Sequence, residues 1–300
     1  MEDFKSGFVS LVGRTNVGKS TLLNALVKEK VAITANKTQT TRTAIKAILN
    51  DEKYQIVITD TPGIHRPKTK LSETMINTAF SVFSEVDVIM FLIEATSKEI
   101  GKGDRIILEK IKESGKPCIL LINKIDLVPK EILLNVIKVY SQEYNFKAVI
   151  PVSALKDDGT EEIIKELLKL LPNGPKYYED DEYTDQTLRQ MVEEIIREKA
   201  LKLLQDEVPH GIFVKVEKMK FGKSKTGENM YTIEATIYCL RESHKGIIIG
   251  KDGRLLKKIA TYARQDTEKM LQTKVNLKVW VKVQEDWQEK EKIVNKFKLK

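Results

Sequence analysis

Gly13-Arg14-Thr15-Asn16-Val17-Gly18-Lys19-Ser20 has the residue types and spacing that bind a polyphosphate. Two glycines flanking four residues let backbone N–H groups face phosphate oxygens, and a helix opening at Lys19 adds its positive end. Lys19 would reach the β- and γ-phosphates, Ser20 would ligate Mg2+, and Thr21 extends the same contact surface. Asp60-Thr61-Pro62-Gly63-Ile64 supplies an acid that acts on Mg2+ through a water, and a glycine N–H that senses the γ-phosphate and serves as a hinge. Asn123-Lys124-Ile125-Asp126 points to the base. A carboxylate at Asp126 accepts from both N1–H and the 2-amino group of guanine, a donor pair that adenine lacks, so GTP and GDP are the expected ligands. Asn123 is expected to tie this loop to the phosphate loop and Lys124 to lay its stem along the base. Ser153-Ala154-Leu155 would bring the Ala154 N–H to guanine O6. Gln39-Thr40-Thr41-Arg42 offers a threonine to the Mg2+ shell, and we take Thr41 over Thr40. Asn16, Lys19, Thr41 and Gly63 are the candidate catalytic residues, with Arg42 and Arg66 as weaker sources of transition-state charge.

These loops need elements to aim them. Phe8–Val12, Tyr54–Thr59, Asp87–Ile93, Cys118–Ile122 and Ala148–Val152 are short aliphatic runs of the kind buried in a parallel sheet. Between them, Leu71–Phe83, Asp104–Ser114, Lys130–Tyr144 and Thr160–Leu171 repeat apolar residues at three- and four-residue spacing. Strand alternating with helix predicts an α/β phosphate-loop domain with a mostly parallel, doubly wound sheet over residues 1–173. Pro172-Asn173-Gly174-Pro175 and the acidic run after it read as a linker over 174–183. Residues 184–300 then form a second, α+β domain. A helix starts near Thr184, Ile212–Phe221 and Met230–Leu240 alternate as strands, and Val275–Val283 alternates as the last one. Trp280 on that strand could stack a base, but packing against a closing helix around Trp287 is the preferred expectation, and His65, His210 and His244 are expected in loops.

Charge separates the two domains. Residues 1–209 hold 30 Lys/Arg against 32 Asp/Glu, while residues 210–300 hold 21 against 11. A basic module of this kind favours a polyanion partner. Ile249-Gly250-Lys251-Asp252-Gly253 is a Gly-x-x-Gly loop entering a helix that carries Arg254 and Lys257, and the apolar residues on either side, Ile247–Ile249 and Leu255/Leu256, would shape a groove for bases. Its position in a helix–strand–strand–loop–helix–strand order resembles a type II KH domain, whose loop clamps single-stranded nucleic acid. The two cysteines, Cys118 and Cys239, are far apart in strand-like runs and are expected to be buried thiols. No signal-peptide pattern opens the chain, and no apolar run approaches the roughly 20 residues of a membrane span, so the expected location is the cytoplasm. An enzyme that uses GTP to drive chemistry on tRNA would need a further catalytic constellation, such as a Cys motif, and a GTP-dependent membrane-remodelling protein would need a long amphipathic or apolar segment; the sequence offers neither.

The set of motifs, in this order, resembles the Era family of ribosome-assembly GTPases over nearly the whole chain. The resemblance rests on the phosphate loop, Gln-Thr-Thr-Arg, Asp-Thr-Pro-Gly, Asn-Lys-Ile-Asp, Ser-Ala-Leu, Lys-Gly-Ile-Ile-Ile-Gly-Lys-Asp-Gly and Val-Lys-Val-x-Glu-Asp-Trp at 281–287. It implies GTP hydrolysis, binding of the 3′ end of 16S rRNA, action on the 30S subunit and peripheral association with the inner membrane, by a protein taken to be a monomer. Related GTPases often carry Gln at the position of Ile64, which cannot orient a water. Asn16 and the Thr-rich 38–43 stretch look like the branch that uses K+ beside Mg2+, the cation lying near Asn16 between the β- and γ-phosphates.

Overall fold

In the computed structural model, residues 4–35, 37, 40–64, 67, 69–97, 99–224 and 226–295 are described. They divide into two compact units, one built from those of 4–32, 41–185 and Asn295, the other from those of 33–40 and 186–294.

The first unit grows from runs that are apolar on both faces. Its sheet has the order β2-β3-β1-β4-β5-β6, with β1 Lys5–Val12, β2 Ile45–Asn50, β3 Tyr54–Asp60, β4 Val88–Glu94, β5 Cys118–Asn123 and β6 Ala148–Pro151. All pairings are parallel except β2 with β3. The strand period of two sends Val9, Leu11, Val88, Met90, Leu92, Ile119 and Leu121 to one face and Val12, Ile89, Phe91, Ile93, Leu120 and Ile122 to the other. Helices cover both faces. The first core also takes side chains from α1 (Lys19–Val27) and α5 (Thr160–Leu170). The second takes them from α2 (Lys70–Ser81), α3 (Lys102–Ser114) and α4 (Lys130–Glu143). Each fully buried aliphatic side chain contributes about 1.5–3 kcal/mol, so β4, whose first six residues are all buried, is a main source of stability.

The segment read as a linker is held against this unit. Gln55 is fully buried; its Oε1 accepts the N–H groups of Tyr177 (2.6 Å) and Tyr178 (3.0 Å), and its Nε2 donates to the Tyr178 carbonyl (2.8 Å). The Ile48 N–H donates to the Tyr183 carbonyl (3.1 Å), and Thr184 pairs with Ala47. The composition is that of a linker, but Gln55 and the β2 edge give its backbone partners.

The second unit has α6 Leu188–Leu203, β7 Phe213–Lys223, β8 Asn229–Cys239, α7 Glu242–Ile249, α8 Arg254–Leu271, β9 Lys274–Val283 and a short α9 Glu291–Val294. Thr187 opens α6 with a capping box to Gln190. Strands β7 and β8 are antiparallel, and β9 runs parallel to β8. Residues 33–40 join this unit through α6. The Thr34 N–H donates to Glu198 Oε1 (3.1 Å), and Arg197 donates to the Thr40 carbonyl. Lys199 pairs with Glu198 (3.0 Å) and with Asp266 of α8.

Several expectations are corrected here. Residues 245–249, for which the sequence predicts no helix ahead of the Gly-x-x-Gly loop, form most of helix α7, on which His244 and Ile248, four apart, are both buried. His244 is therefore a core residue, not a loop residue. Trp280, expected to pack against a closing helix, stands 45% exposed on β9. Trp287 is instead buried against Phe213 and donates to the Gly211 carbonyl (2.9 Å). His65, Arg66, Thr38 and Gln39 lie outside the described residues.

Candidate functional site

The phosphate loop joins β1 to α1, so the strand aims it and the helix N-terminus closes it. Lys19 is buried, and its Nζ donates to the carbonyls of Gly13 (3.0 Å) and Arg14 (2.9 Å). Burial lowers its pKa to about 8, against the pull of Asp60. Asn16 sits at φ 66° with an exposed side chain.

Three oxygens converge beside this loop. Ser20 Oγ donates to Asp60 Oδ2 (2.8 Å) and lies 2.8 Å from Thr41 Oγ1, which also reaches Asp60 Oδ2 (3.1 Å). Burial pushes the Asp60 carboxyl up, opposed by Lys19 and by the two hydroxyls. The other oxygen of this buried carboxylate, Oδ1, has no hydrogen-bond partner. An all-oxygen set with an orphaned carboxylate oxygen fits a hard divalent cation such as Mg2+. Thr40 is turned away, donating to the carbonyls of Ala35 (3.2 Å) and Lys37 (2.6 Å).

Gly63 and Ile64 close against the loop. The Ile64 N–H donates to the Gly13 carbonyl (3.2 Å), and Ile64 pairs with Arg14 as an isolated bridge. A Cβ on Gly63 would stand 2.8 Å from Thr15 Cα, so no larger residue fits there without displacing the loop. Thr61 is a strut, its Oγ1 donating to the Leu11 carbonyl (2.9 Å); Pro62 is buried beside it.

The loop expected to read the base is fixed from within. Asn123 Nδ2 donates to the Val17 carbonyl (2.8 Å), as its expected tie to the phosphate loop requires. Lys124 donates to the Asn16 carbonyl (2.9 Å) and pairs with Glu94. Ile125 stands half-buried between them, and Leu155 is exposed. Asp126 is exposed, and the Ser153 hydroxyl (2.7 Å) holds its carboxyl below the usual range. The Ala154 N–H, expected to meet guanine O6, donates to Asn123 Oδ1 (3.0 Å). Its role here is to lock Asn123.

One partnership was not visible in the sequence. Arg14 turns its guanidinium to the buried Asp104 of α3 (Nε to Oδ1, 3.0 Å) and to Ser97 (3.0 Å), and Tyr140 of α4 donates to the same carboxylate (2.9 Å). The available signal was Asp104 itself, an acid within the apolar stripe of a helix.

In the second unit, Gly250 and Gly253 both take φ 71°, and Asp252 takes φ 53°. The turn they make delivers Arg254 to the start of α8. Lys251, Asp252, Arg254 and Lys257 are exposed, with Ile247 beside them. Ile248 is fully buried in the core and Ile249 is half-buried, so of the three isoleucines assigned to a nucleic-acid groove only Ile247 is well exposed.

Residues 8–124 match the family described as 50S ribosome-binding GTPase, and residues 207–288 match the KH domain. GTPase Era of Caldanaerobacter subterraneus subsp. tengcongensis is 52% identical over 294 residues, which cover 98% of this chain and 97% of that protein. The chain belongs to the Era family of GTPases. A solved structure of Era in complex with MgGDPNP and nucleotides 1506–1542 of 16S ribosomal RNA is 40% identical, covers 98% of each chain and has a TM-score of 0.93. Aquifex aeolicus Era bound to GDP.AlF4- gives the same identity and TM-score, covering 98% of this chain and 99% of that one. As a member of the Era family, the chain is a GTP-hydrolysing phosphate-loop enzyme with a KH domain. No helix among the described residues is long and apolar enough to cross a membrane.

Proposed function

We propose that this chain uses GTP to control its hold on the single-stranded 3′ end of 16S rRNA during assembly of the 30S subunit. One observation carries the reading: an oxygen triad and a guanine-selecting loop share a chain with a Gly-x-x-Gly turn, and the whole resembles, at TM-score 0.93, an Era structure bearing MgGDPNP and 16S rRNA nucleotides.

Ser20 and Thr41 would ligate Mg2+ and Asp60 would act on it through a water; the bound cation would neutralise charge on the β- and γ-phosphates. Lys19 moves its ammonium from two loop carbonyls to phosphate oxygens. The Gly63 N–H meets the γ-phosphate, and Asp126 selects guanine. Ile64 is buried and has no group to orient a water. Charge stabilisation would therefore fall to Lys19 and to the cations that the loop would hold, Mg2+ at Ser20 and Thr41 and a K+ near Asn16. Turnover at equal ionic strength should be faster in K+ than in Na+, and equal rates would remove K+ from the scheme.

Gating is supported by chain continuity. Thr41 belongs to the oxygen triad, and the preceding Thr40 is held by Arg197 of α6. Lys251, Arg254 and Lys257 would contact phosphates while the glycines let the RNA backbone approach. The test is a filter-binding titration with a 3′-terminal 16S fragment, in GDPNP and in GDP. Wild type should bind more tightly with GDPNP. Gly253→Asp should lose at least about tenfold in RNA affinity while keeping GTP binding. Retained RNA affinity in that variant would defeat the KH reading.

A further inference from the structure

The guanidinium of Arg14 is committed to protein groups. Its Nε donates to Asp104 at 3.0 Å, and its Nη2 donates to Ser97 Oγ at 3.0 Å. Its aliphatic stem crosses the start of α3, where a Cβ on Gly103 would stand 3.0 Å from Arg14 Cδ. Asp104 is fully buried and is itself held in place. It takes the Tyr140 hydroxyl at 2.9 Å and a backbone hydrogen bond from Gly101. The carboxylate therefore has one orientation, set by two helices of the second core.

The Arg14 peptide sits at the meeting point of the catalytic parts. Its carbonyl accepts from Lys19, and its backbone pairs with Ile64 next to the switch glycine. The next residue, Thr15, is the one that a Cβ on Gly63 would strike, its Cα and Cγ2 both lying 2.8 Å from that position. Phosphate loops work by presenting fixed N–H groups, and a displacement of about 1 Å can cost about a hundredfold in rate. The side chain of Arg14 is thus a tether from this peptide to a rigid buried anchor.

We infer that Arg14 is a positioning residue for GTP hydrolysis: its ion pair with Asp104 fixes the Gly13–Thr15 peptides against which Gly63 closes when the γ-phosphate is present. GDP, which lacks the γ-phosphate, needs this closure less. Loss of the tether should fall on the hydrolytic step rather than on GDP binding.

The test is a double-mutant cycle on the full chain with Arg14→Ala, Asp104→Asn and the pair, read by single-turnover GTP hydrolysis and by GDP dissociation constants. Arg14→Ala should slow hydrolysis by about tenfold or more and change GDP affinity by less than about threefold. The double variant should be no slower than the slower single variant, and Arg14→Lys should recover part of the rate. GDP binding and thermal melting report folding; if Asp104→Asn does not fold, the Arg14→Ala and Arg14→Lys pair decides alone. Wild-type hydrolysis in Arg14→Ala, effects that multiply in the pair, or a loss of GDP affinity as large as the loss of rate would each overturn the inference.

Discussion

Lys19 shows how a single residue's surroundings set up its chemistry. Its ammonium is buried with a pKa of about 8, lowered from the ordinary 10.5. The sign for stability follows. The unfolded chain holds this proton up to about 10.5 and the folded one only to about 8, so the penalty is complete below pH 8 and is relieved as pH rises through that window. Binding has the opposite sense, because phosphate oxygens favour the charged form. Above pH 8, GTP binding must therefore draw a proton onto Lys19, and affinity should fall by up to about tenfold per pH unit. Calorimetry in buffers of different ionisation enthalpy should detect that uptake at pH 9 and not at pH 7. The meeting of Ser20, Thr41 and Asp60 beside a buried Lys19 was legible because the roles expected of them require particular atoms at particular spacings. Arg14 with Asp104 and Tyr140, and Ala154 locking Asn123, were not. They depend on side chains from separate elements meeting, which spacing along one strand does not encode.

At the scale of elements, strands and helices of the first unit were legible because a two-sided parallel sheet demands continuous apolar runs. Helix α7 was not. Three consecutive isoleucines favour extended structure locally, yet only Ile248 is fully buried, and tertiary packing overrides the local preference. The stretch after Pro172 misled for the reverse reason, since nothing in its composition announces that Gln55 waits for its backbone. Gln55→Ala would strand the Tyr177 and Tyr178 N–H groups and the Tyr178 carbonyl. Each unsatisfied group costs about 1–3 kcal/mol when buried. Melting should fall by several degrees; Asn50→Ala, which loses one part-buried bond from Gln55 Nε2 (2.7 Å) and exposed bonds to the carbonyls of Glu179, Asp180 and Glu182, should be milder.

At the scale of the molecule, the basic excess of residues 210–300 and the Gly-x-x-Gly turn were legible as a polyanion module. The assignment of residues 33–40 to that module's compact unit was not, since it rests on Arg197 and Glu198 finding Thr40 and Thr34. Arg197→Ala should leave GTP affinity within about threefold but narrow the difference in RNA affinity between GDPNP and GDP. Titration of both nucleotide states with the same RNA reads this directly. An unchanged difference would separate the threonine loop from the gating.

The chain from Tyr177 to Thr184 has one more consequence. A six-stranded sheet with β2 at its margin offers unpaired N–H and C=O groups to any passing strand, the geometry from which aggregation starts. Here Tyr183 and Thr184 occupy that margin at Ile48 and Ala47. The apparent linker is thus a guard rail for the GTPase sheet. A fragment cut after residue 173 would lose the rail, whereas one cut after Asp185 would carry it along.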